Sequence, residues 1–305
     1  MVSNFGPMAK ARAIVKRRKA VRNIRKITKT MQMIATAKFQ KALKRAVGTR
    51  AYSKKVRELA AELAGNVGDV THPLLRQPES GSAGAVGLVV ITSNRGLAGA
   101  YNGSVLRTAA HFIREQEGQG KKIELYVAGK KGASYFNFQR RAIAQRLEIG
   151  DTPKFEDVEK VAQSFIEKFT AGAYDAVHMA YMHFLSAGSQ RPEVLALLPL
   201  ATVDAAKAKG AEPGELRINA AYDFIPDAQS LLDELLPLTV KTAMFQAFLD
   251  ATTSEHVARM VSMKSATDNA DKMVKSLTMR YNRARQSQIT TELSEIMGGV
   301  EAMNE

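Results

Sequence analysis

Two long stretches without proline or glycine, one near each end of the chain, limit what this sequence can form. The first runs from Met8 to Val47, and the second comprises the 60 residues from Leu238 to Met297. At a rise of 1.5 Å per residue, the second stretch would make a helix about 90 Å long, several times the diameter of a small domain. Neither helix can bury its length against a compact core, so the sequence predicts that the two helices pair with each other.

Apolar and small residues recur in both stretches at steps of three and four, which is the spacing of a coiled-coil seam. The predicted seam of the first helix consists of Val21, Ile24, Thr28, Met31 and Ala35. The predicted seam of the second helix consists of Val257, Met260, Lys264, Thr267, Ala270, Val274, Leu277, Tyr281 and Ala284. We therefore expect an antiparallel, left-handed coiled coil. Gly298 and Gly299 are expected to end the second helix.

The middle of the chain has a different pattern, in which apolar strands alternate with helices. The predicted strands are 86–92, 122–129, 174–184 and 193–200, and the predicted helices are 104–117 and 157–170. This alternation indicates an α/β layer with a largely parallel sheet. The predicted fold class is α plus α/β: a Rossmann-like α/β domain inserted into a long antiparallel coiled coil.

These patterns divide the chain into three predicted domains. An N-terminal shaft helix occupies 1–65, the inserted α/β domain with its flanking linkers occupies 66–226, and a C-terminal shaft helix occupies 227–305. Stretches rich in glycine, proline and other breakers, 64–84 and 208–226, are the predicted linkers.

Positive charge is concentrated at the N-terminal end. Fourteen basic residues and no acidic ones lie between Lys10 and Arg45, and the 248 residues after position 57 carry 26 bases against 30 acids. One surface of the protein should therefore meet an acidic partner. Nucleic acid is one candidate, because phosphates attract Lys and Arg at any register. Phe39 is the only aromatic residue between Lys10 and Arg50, which offers little base stacking, and the apolar seam favours a protein partner.

Targeting signals and membrane segments are not evident. An arginine-rich N-terminus without acids is compatible with a mitochondrial transit peptide, but here the pattern continues without a break into the predicted helix. We identify no secretory signal, and the longest apolar run, 85–92, is too short to span a bilayer. No direct membrane insertion is expected.

The sequence offers no catalytic, metal or cofactor site that we recognise. The chain contains no cysteine, its five histidines show no ligand spacing, and neither G-x-S-x-G nor H-E-x-x-H occurs. The segment "ITSNRGLAGAYNGS", 91–104, follows a strand and opens a helix, but it fits neither standard phosphate-binding template. Arg95, Gly96 and Gly99 are therefore interpreted as a structural turn. We expect no cofactor and no enzymatic activity in this chain alone.

Three motifs resemble one known family. The segments "KITKTMQMIATAKF" (26–39), "ITSNRGLAGAYN" (91–102) and "SEHVARMVSMKSATDNADKM…YNRARQSQITTELSEI" (254–296) closely resemble the gamma subunit of F-type ATP synthase, in that family's order and spacing. The resemblance implies a central rotor shaft that couples ion-driven rotation to ATP synthesis or hydrolysis at beta-subunit sites. The alternative interpretation is a basic coiled-coil adaptor that binds nucleic acid.

The resemblance also implies partners and contact residues. The expected partners are the alpha, beta and epsilon subunits and the membrane ring of c subunits, with no nucleic acid. Met31 matches a residue that faces an acidic loop of the beta subunit. Arg285, Gln286 and Thr290 match residues that bind a beta-subunit catch loop, and Glu292 falls at a further matching position. The tip at 296–300 would turn in an apolar collar. The complex would place this chain peripherally on the cytoplasmic face of a bacterial inner membrane.

Overall fold

The structure is a computed structural model that describes residues 7–66, 72–76, 84–200 and 228–304. These residues form helices at both ends and a sheet with shorter helices between them. The elements in chain order are α1 (Pro7–Asn66), a 3-10 helix (Pro73–Leu75), β1 (Ala85–Ile91), α2 (Tyr101–Gly118), β2 (Lys122–Ala128), α3 (Lys130–Phe138), β3 (Gln145–Leu147), α4 (Phe155–Thr170), β4 (Ala176–Ser186), β5 (Ser189–Leu198) and α5 (Ala228–Asn304). The predicted arrangement of terminal helices around a central α/β layer is confirmed. The predicted linker 208–226 and most of 64–84 lie outside the described residues.

The chain divides into two compact units, which we describe separately. The helical unit consists of Met1–Thr36 and Arg259–Glu305, and the sheet unit consists of Ala37–Ala258. Both long helices contribute residues to both units, because α1 and α5 each continue through the position at which the chain is divided.

The sheet unit is built on a five-stranded mixed sheet in the order β3-β2-β1-β4-β5. Four strands, β3, β2, β1 and β4, run parallel to one another. Strand β5 pairs with β4 in the antiparallel direction. The prediction of a largely parallel sheet holds for those four strands. The antiparallel edge follows from chain length, because two residues separate β4 from β5 and a parallel crossover needs a dozen or more.

Apolar side chains cover both faces of this sheet. On one face Leu88 and Val90 of β1 pack with Val105 and Ala109 of α2. On the other face the alternate residues Val89 and Ile91 belong to a core that also includes α4 and the parts of α1 and α5 in this unit. This two-sided burial explains why β1 is a continuous apolar run instead of an alternating one.

Helix α3 and strand β3 were not predicted from the sequence. Strand β3 has only three residues, and α3 has nine, so neither gives a strong periodic signal. Gly129, with a φ of +93°, is the N-cap residue immediately before α3. A Cβ atom on Gly129 would lie 2.1 Å from the carbonyl oxygen of Thr92, so only glycine lets these two backbone segments approach so closely.

Within the helical unit the contacts between α1 and α5 run antiparallel. Arg18 lies over the ring of Tyr281, Arg25 pairs with Asp271, and Thr28 contacts Thr267. As the residue number rises along α1, the number of its partner on α5 falls. Val21 shares a small apolar cluster with Ala270 and Leu277, with the half-buried Ile14 and Val274 packed against it.

The predicted seam is wrong at two positions. Ile24 is 53% exposed, whereas Val21, Thr28 and Ala35, which are seven residues apart, are buried. Lys264 is exposed, and its neighbour Met263 is buried in its place. Both errors have the same cause: steps of three and four fit two adjacent stripes of a helix, and only contact with the partner helix selects one of them.

Helix α5 extends past both ends of the stretch without proline or glycine, and the expectation that Gly298 and Gly299 end it is wrong. Helix α5 begins at Ala228 and includes Pro237, although proline inside a helix removes a hydrogen bond and costs about 3 kcal/mol. Burial of Leu232, Leu236 and Val240 against the sheet core offsets that cost. Gly298 and Gly299 do not end the helix, which continues to Asn304. Glycine lowers helix stability by only about 1 kcal/mol per residue, so it does not by itself stop a helix.

Candidate functional site

In the helical unit, α1 presents three chemically different sides. The first is the seam formed by Val21, Thr28 and Ala35, which packs against α5. The other two sides consist of exposed residues, one set apolar and the other basic. Because a helix turns 100° per residue, the sequence spacing alone assigns each residue to its side.

The apolar stripe consists of Ile24, Ile27, Met31 and Ile34. These four residues fall within an arc of about 80° on the helix. Ile24, Ile27 and Ile34 are 53%, 59% and 54% exposed, and Met31 is half-buried. A contiguous row of exposed isoleucines is rare on a free protein surface and indicates a surface that contacts a partner.

The basic side carries Lys19, Arg22, Lys26 and Lys29, which are all exposed. They also fall within an arc of about 80°, on a different side from the apolar stripe. Within residues 12–36 of α1, the structure gives one ion pair, between Arg25 and Asp271. The basic side therefore keeps a large positive charge that the described residues of the helical unit do not neutralise.

The four predicted contact residues of α5 all lie on its exposed surface. The Thr290 hydroxyl donates a hydrogen bond of 3.0 Å to the Gln286 carbonyl, and Gln288 Nε2 donates one of 2.8 Å to Glu292 Oε1. Among the described residues, the side chains of Arg285 and Gln286 make no hydrogen bond or ion pair. Their donors are available to a partner, whereas the Thr290 hydroxyl is already in use.

The end of α5 is also exposed and apolar. Ile289, Leu293, Ile296, Met297 and Val300 are each about half or more exposed. The antiparallel contacts pair position 28 with 267 and position 18 with 281. Residues of α5 beyond about 290 would therefore lie opposite the first turn of α1 or past it. An apolar, unpaired helix end is compatible with a collar contributed by another chain.

The loop after β1, which contains Arg95, Gly96 and Gly99, is held by local hydrogen bonds. Ser93 Oγ donates to the Arg95 carbonyl over 2.6 Å, and the Asn102 side chain accepts from the Ser93 backbone N–H over 3.0 Å. Gly99 has a φ of +55°, in the region that favours glycine. These contacts connect the end of β1 to the start of α2.

This loop also occupies the N-terminus of α3, where an anion would otherwise bind. The N–H of Lys130 donates to Asn94 Oδ1 over 3.2 Å, that of Lys131 to the Ser93 carbonyl over 3.1 Å, and that of Gly132 to Thr92 Oγ1 over 2.9 Å. Three N–H groups are thus satisfied by protein atoms. The geometry favours a structural role for this loop over phosphate binding.

The described residues contain no group of three His, Cys, Asp or Glu side chains that could hold a metal ion. None of the described helices is long and apolar enough to cross a membrane.

Met31 is the one residue of the apolar stripe that the sequence predicted to contact a partner. Ile24 and Met31 were both assigned to the seam. The spacing of Ile24, Ile27, Met31 and Ile34, by three, four and three residues, is itself a helical stripe. This spacing could have been recognised from the sequence as a second helical stripe, separate from the seam.

Comparison with known proteins identifies the family. Residues 10–303 match the sequence profile of the family described as ATP synthase. The ATP synthase gamma chain of Rhodopirellula baltica is 43% identical over 297 residues, covering 97% of this chain and 99% of the relative. That of Saccharopolyspora erythraea is 37% identical over 312 residues, covering 97% and 98%.

Solved structures share the fold. A chain of the Euglena gracilis mitochondrial ATP synthase (OSCP/F1/c-ring, rotational state 3) superimposes with a TM-score of 0.61 and 19% identity, covering 97% of this chain and 95% of that one. A chain of the Tetrahymena thermophila mitochondrial ATP synthase central stalk and c-ring gives a TM-score of 0.56 and 22% identity, covering 79% and 99%. Nothing in these comparisons supports the alternative of a nucleic-acid adaptor. The chain therefore belongs to the ATP synthase gamma chain family, whose members are non-catalytic subunits of that complex.

Proposed function

We propose that this chain is the rotor shaft of an F-type ATP synthase and couples ion-driven rotation to nucleotide chemistry on the beta subunits. The observation that carries the proposal is the outer surface of the helical unit. The described parts of the two paired helices leave unneutralised cations and a row of isoleucines exposed. Family membership supplies the identity of the complex.

In this proposal the helical unit is an antiparallel coiled coil surrounded by alpha and beta subunits. The Rossmann-like sheet unit joins the epsilon subunit and the ring of c subunits. The complex sits on the cytoplasmic face of a bacterial inner membrane, and this chain is peripheral to the bilayer.

The two exposed sides of α1 suit different parts of a turning contact. Attraction between exposed opposite charges is weak, about 0–1 kcal/mol per pair, and changes little with register, so a basic side can slide past an acidic loop. The apolar stripe around Met31 excludes water without requiring directional bonds. We assign Met31 to the acidic loop of the beta subunit. Arg285 and Gln286 are assigned to the beta catch loop, with Thr290 and Glu292 beside them.

A direct test is assembly of the complex with and without this chain. The chain should copurify with its own alpha and beta subunits, and ATP-driven ion pumping in membrane vesicles should depend on it. A Met31→Cys variant should form a crosslink to the beta subunit in the assembled complex, because the natural chain has no competing thiol. Pumping that is unaffected when the chain is omitted would refute the proposed function.

A further inference from the structure

Asp250 is a buried carboxylate at which α1, α5 and the sheet meet inside the sheet unit. Only 2% of its side chain is exposed, and it accepts hydrogen bonds from three different directions. Arg50 Nη2 of α1 donates to Oδ1 over 3.0 Å, and Gln246 Nε2 of α5 donates to the same oxygen over 2.9 Å. His183 Nδ1 of β4 lies 3.0 Å from Oδ2.

Two of these donors, Arg50 and Gln246, also bind a second element. Arg50 Nη2 donates to the backbone carbonyl of Phe184 in β4 over 2.9 Å, and Gln246 Nε2 donates to the carbonyl of Ala46 in α1 over 3.3 Å. Asp250 is therefore the centre of a network that connects the two long helices to one strand of the sheet. Removing one partner of a buried charged network is costly, because the remaining charge stays buried without compensation.

His183 is the member of this network that can change charge near neutral pH. The groups facing it come from every surrounding element: Asp250 on α5, Arg50 on α1, Tyr181 on β4, and Glu193 and Arg191 on β5. Glu193 Oε1 lies 3.9 Å from Nδ1, and Arg191 is the cross-strand neighbour of His183. The hydrogen bond to Asp250 is the main cause that raises the pKa of His183, and Glu193 adds to it, whereas burial and Arg50 oppose the rise.

We propose that the network centred on Asp250 is a pH-responsive joint, which fastens the two long helices more firmly to β4 when the imidazole of His183 gains a proton. A neutral imidazole with its hydrogen on Nδ1 still donates to the Asp250 carboxylate, but protonation turns this contact into an ion pair in which donor and acceptor are both charged. In a rotor shaft, torque received by the sheet unit would pass to the long helices through contacts such as those of Asp250. This consequence rests on the proposed function, whereas the joint does not.

The direction of the pH effect follows from the raised pKa. A group whose pKa is higher in the folded state stabilises that state fully below its unfolded pKa, near 6.5 for histidine. The contribution is lost as the pH rises through the folded pKa. The joint is therefore strongest at mildly acidic pH and weakens toward alkaline pH.

The test compares the full-length wild type with His183→Gln, which keeps a donor but cannot become charged. Urea unfolding is followed by near-ultraviolet circular dichroism, which reports tyrosines because the chain has no tryptophan. We expect the substitution to lower the urea midpoint relative to wild type. The loss at about pH 6 should be several times the loss at about pH 8. The control His111→Gln changes an exposed histidine on α2 and should lower the midpoint little and equally at both values.

A second measurement does not depend on the stability of the variant. Histidine resonances of the wild type are titrated by NMR, and His183 is assigned by its absence from the variant spectrum or by specific labelling. We expect His183 to titrate above the value of a free histidine, and Asp250→Asn to lower its pKa. Equal midpoint losses at both pH values, or a His183 pKa at or below that of free histidine, would overturn the proposal. Neither measurement involves ATP synthase activity, so failure here leaves the proposed function intact.

Discussion

The hydroxyl oxygens of Thr28 and Thr267 lie 2.8 Å apart, buried between α1 and α5 and separated by 239 positions in the sequence. Each hydroxyl also contacts a backbone carbonyl of its own helix, that of Arg25 at 3.1 Å and that of Met263 at 2.8 Å. The two hydroxyl oxygens meet only when the two helices are aligned at this register. The contact therefore specifies register in a seam that has few large apolar residues.

This contact predicts a disulfide. Thr28→Cys with Thr267→Cys should form an intramolecular bond under mild oxidation, because the two side-chain atoms already meet and the natural chain has no cysteine. The product would migrate differently on a non-reducing gel. The matched control is Ile24→Cys with Thr267→Cys, since Ile24 lies outside the seam. Efficient bonding in the control but not in the test pair would contradict the observed register.

Met31→Lys should lower coupling more than assembly. The substitution adds a cation to the apolar stripe opposite the proposed acidic loop. The electrostatic attraction between the shaft and that loop therefore increases. An added attraction of about 1 kcal/mol would slow a rotational step severalfold. The measurement is ions pumped per ATP hydrolysed in membrane vesicles. Thr30→Lys is the control, because Thr30 is exposed on the same helix outside both the apolar stripe and the basic side. If both substitutions reduce the ratio equally, the assignment of Met31 is wrong.

Arg285→Ala and Gln286→Ala should lower the steady-state turnover of the assembled complex. A hydrogen bond to a charged group contributes about 1.5–3 kcal/mol, and these contacts would form in only one of the shaft orientations. Helix content and thermal stability should hardly change, because both side chains are exposed. Arg283→Ala, an exposed arginine two residues away, serves as the control for lost charge. Wild-type turnover in a fully assembled double-alanine complex would remove both residues from the proposed site.

His178 should make the sheet unit sensitive to acid. Burial against the sheet, with a smaller effect of Lys121, lowers its pKa from 6.5 to about 4, and its ring packs against Phe112 at a centroid distance of 4.7 Å. Between these pKa values the unfolded chain binds a proton and the folded chain does not. Stability is therefore lost as the pH falls through this range, by at most about 1.4 kcal/mol per pH unit.

His178→Phe should remove most of that loss, because phenylalanine keeps the ring contact and has no proton to bind. Thermal unfolding between about pH 4.5 and 6.5 measures the slope of stability against pH. His111→Gln, at an exposed position on α2, should leave the slope unchanged. A slope that is the same in wild type and His178→Phe would show that other groups cause the acid sensitivity.

Long-range sequence patterns predicted the long helices and the α/β layer, because both depend on features repeated over many residues. The absence of helix breakers from 8 to 47 and from 238 to 297, together with apolar residues at steps of three and four, indicated helices. The apolar run at β1 indicated a buried parallel strand. The motif at 254–296 indicated the family, which the comparisons confirm. Single positions within those patterns were less well determined.

Only the tertiary structure decided which side of each helix is buried and which strong local signals are overridden. Val21 and Ile24 fit a helical period equally well, and contact with α5 buries one and leaves the other exposed. Pro237 lies inside α5 because burial of the surrounding leucines outweighs a lost hydrogen bond. Asp250 and His183 are far apart in the sequence, and neither belongs to a motif, so their pairing follows solely from how β4 packs against α5. Sequence periodicity is local, whereas burial and ion pairing depend on contacts between distant segments, which the sequence specifies only through the fold.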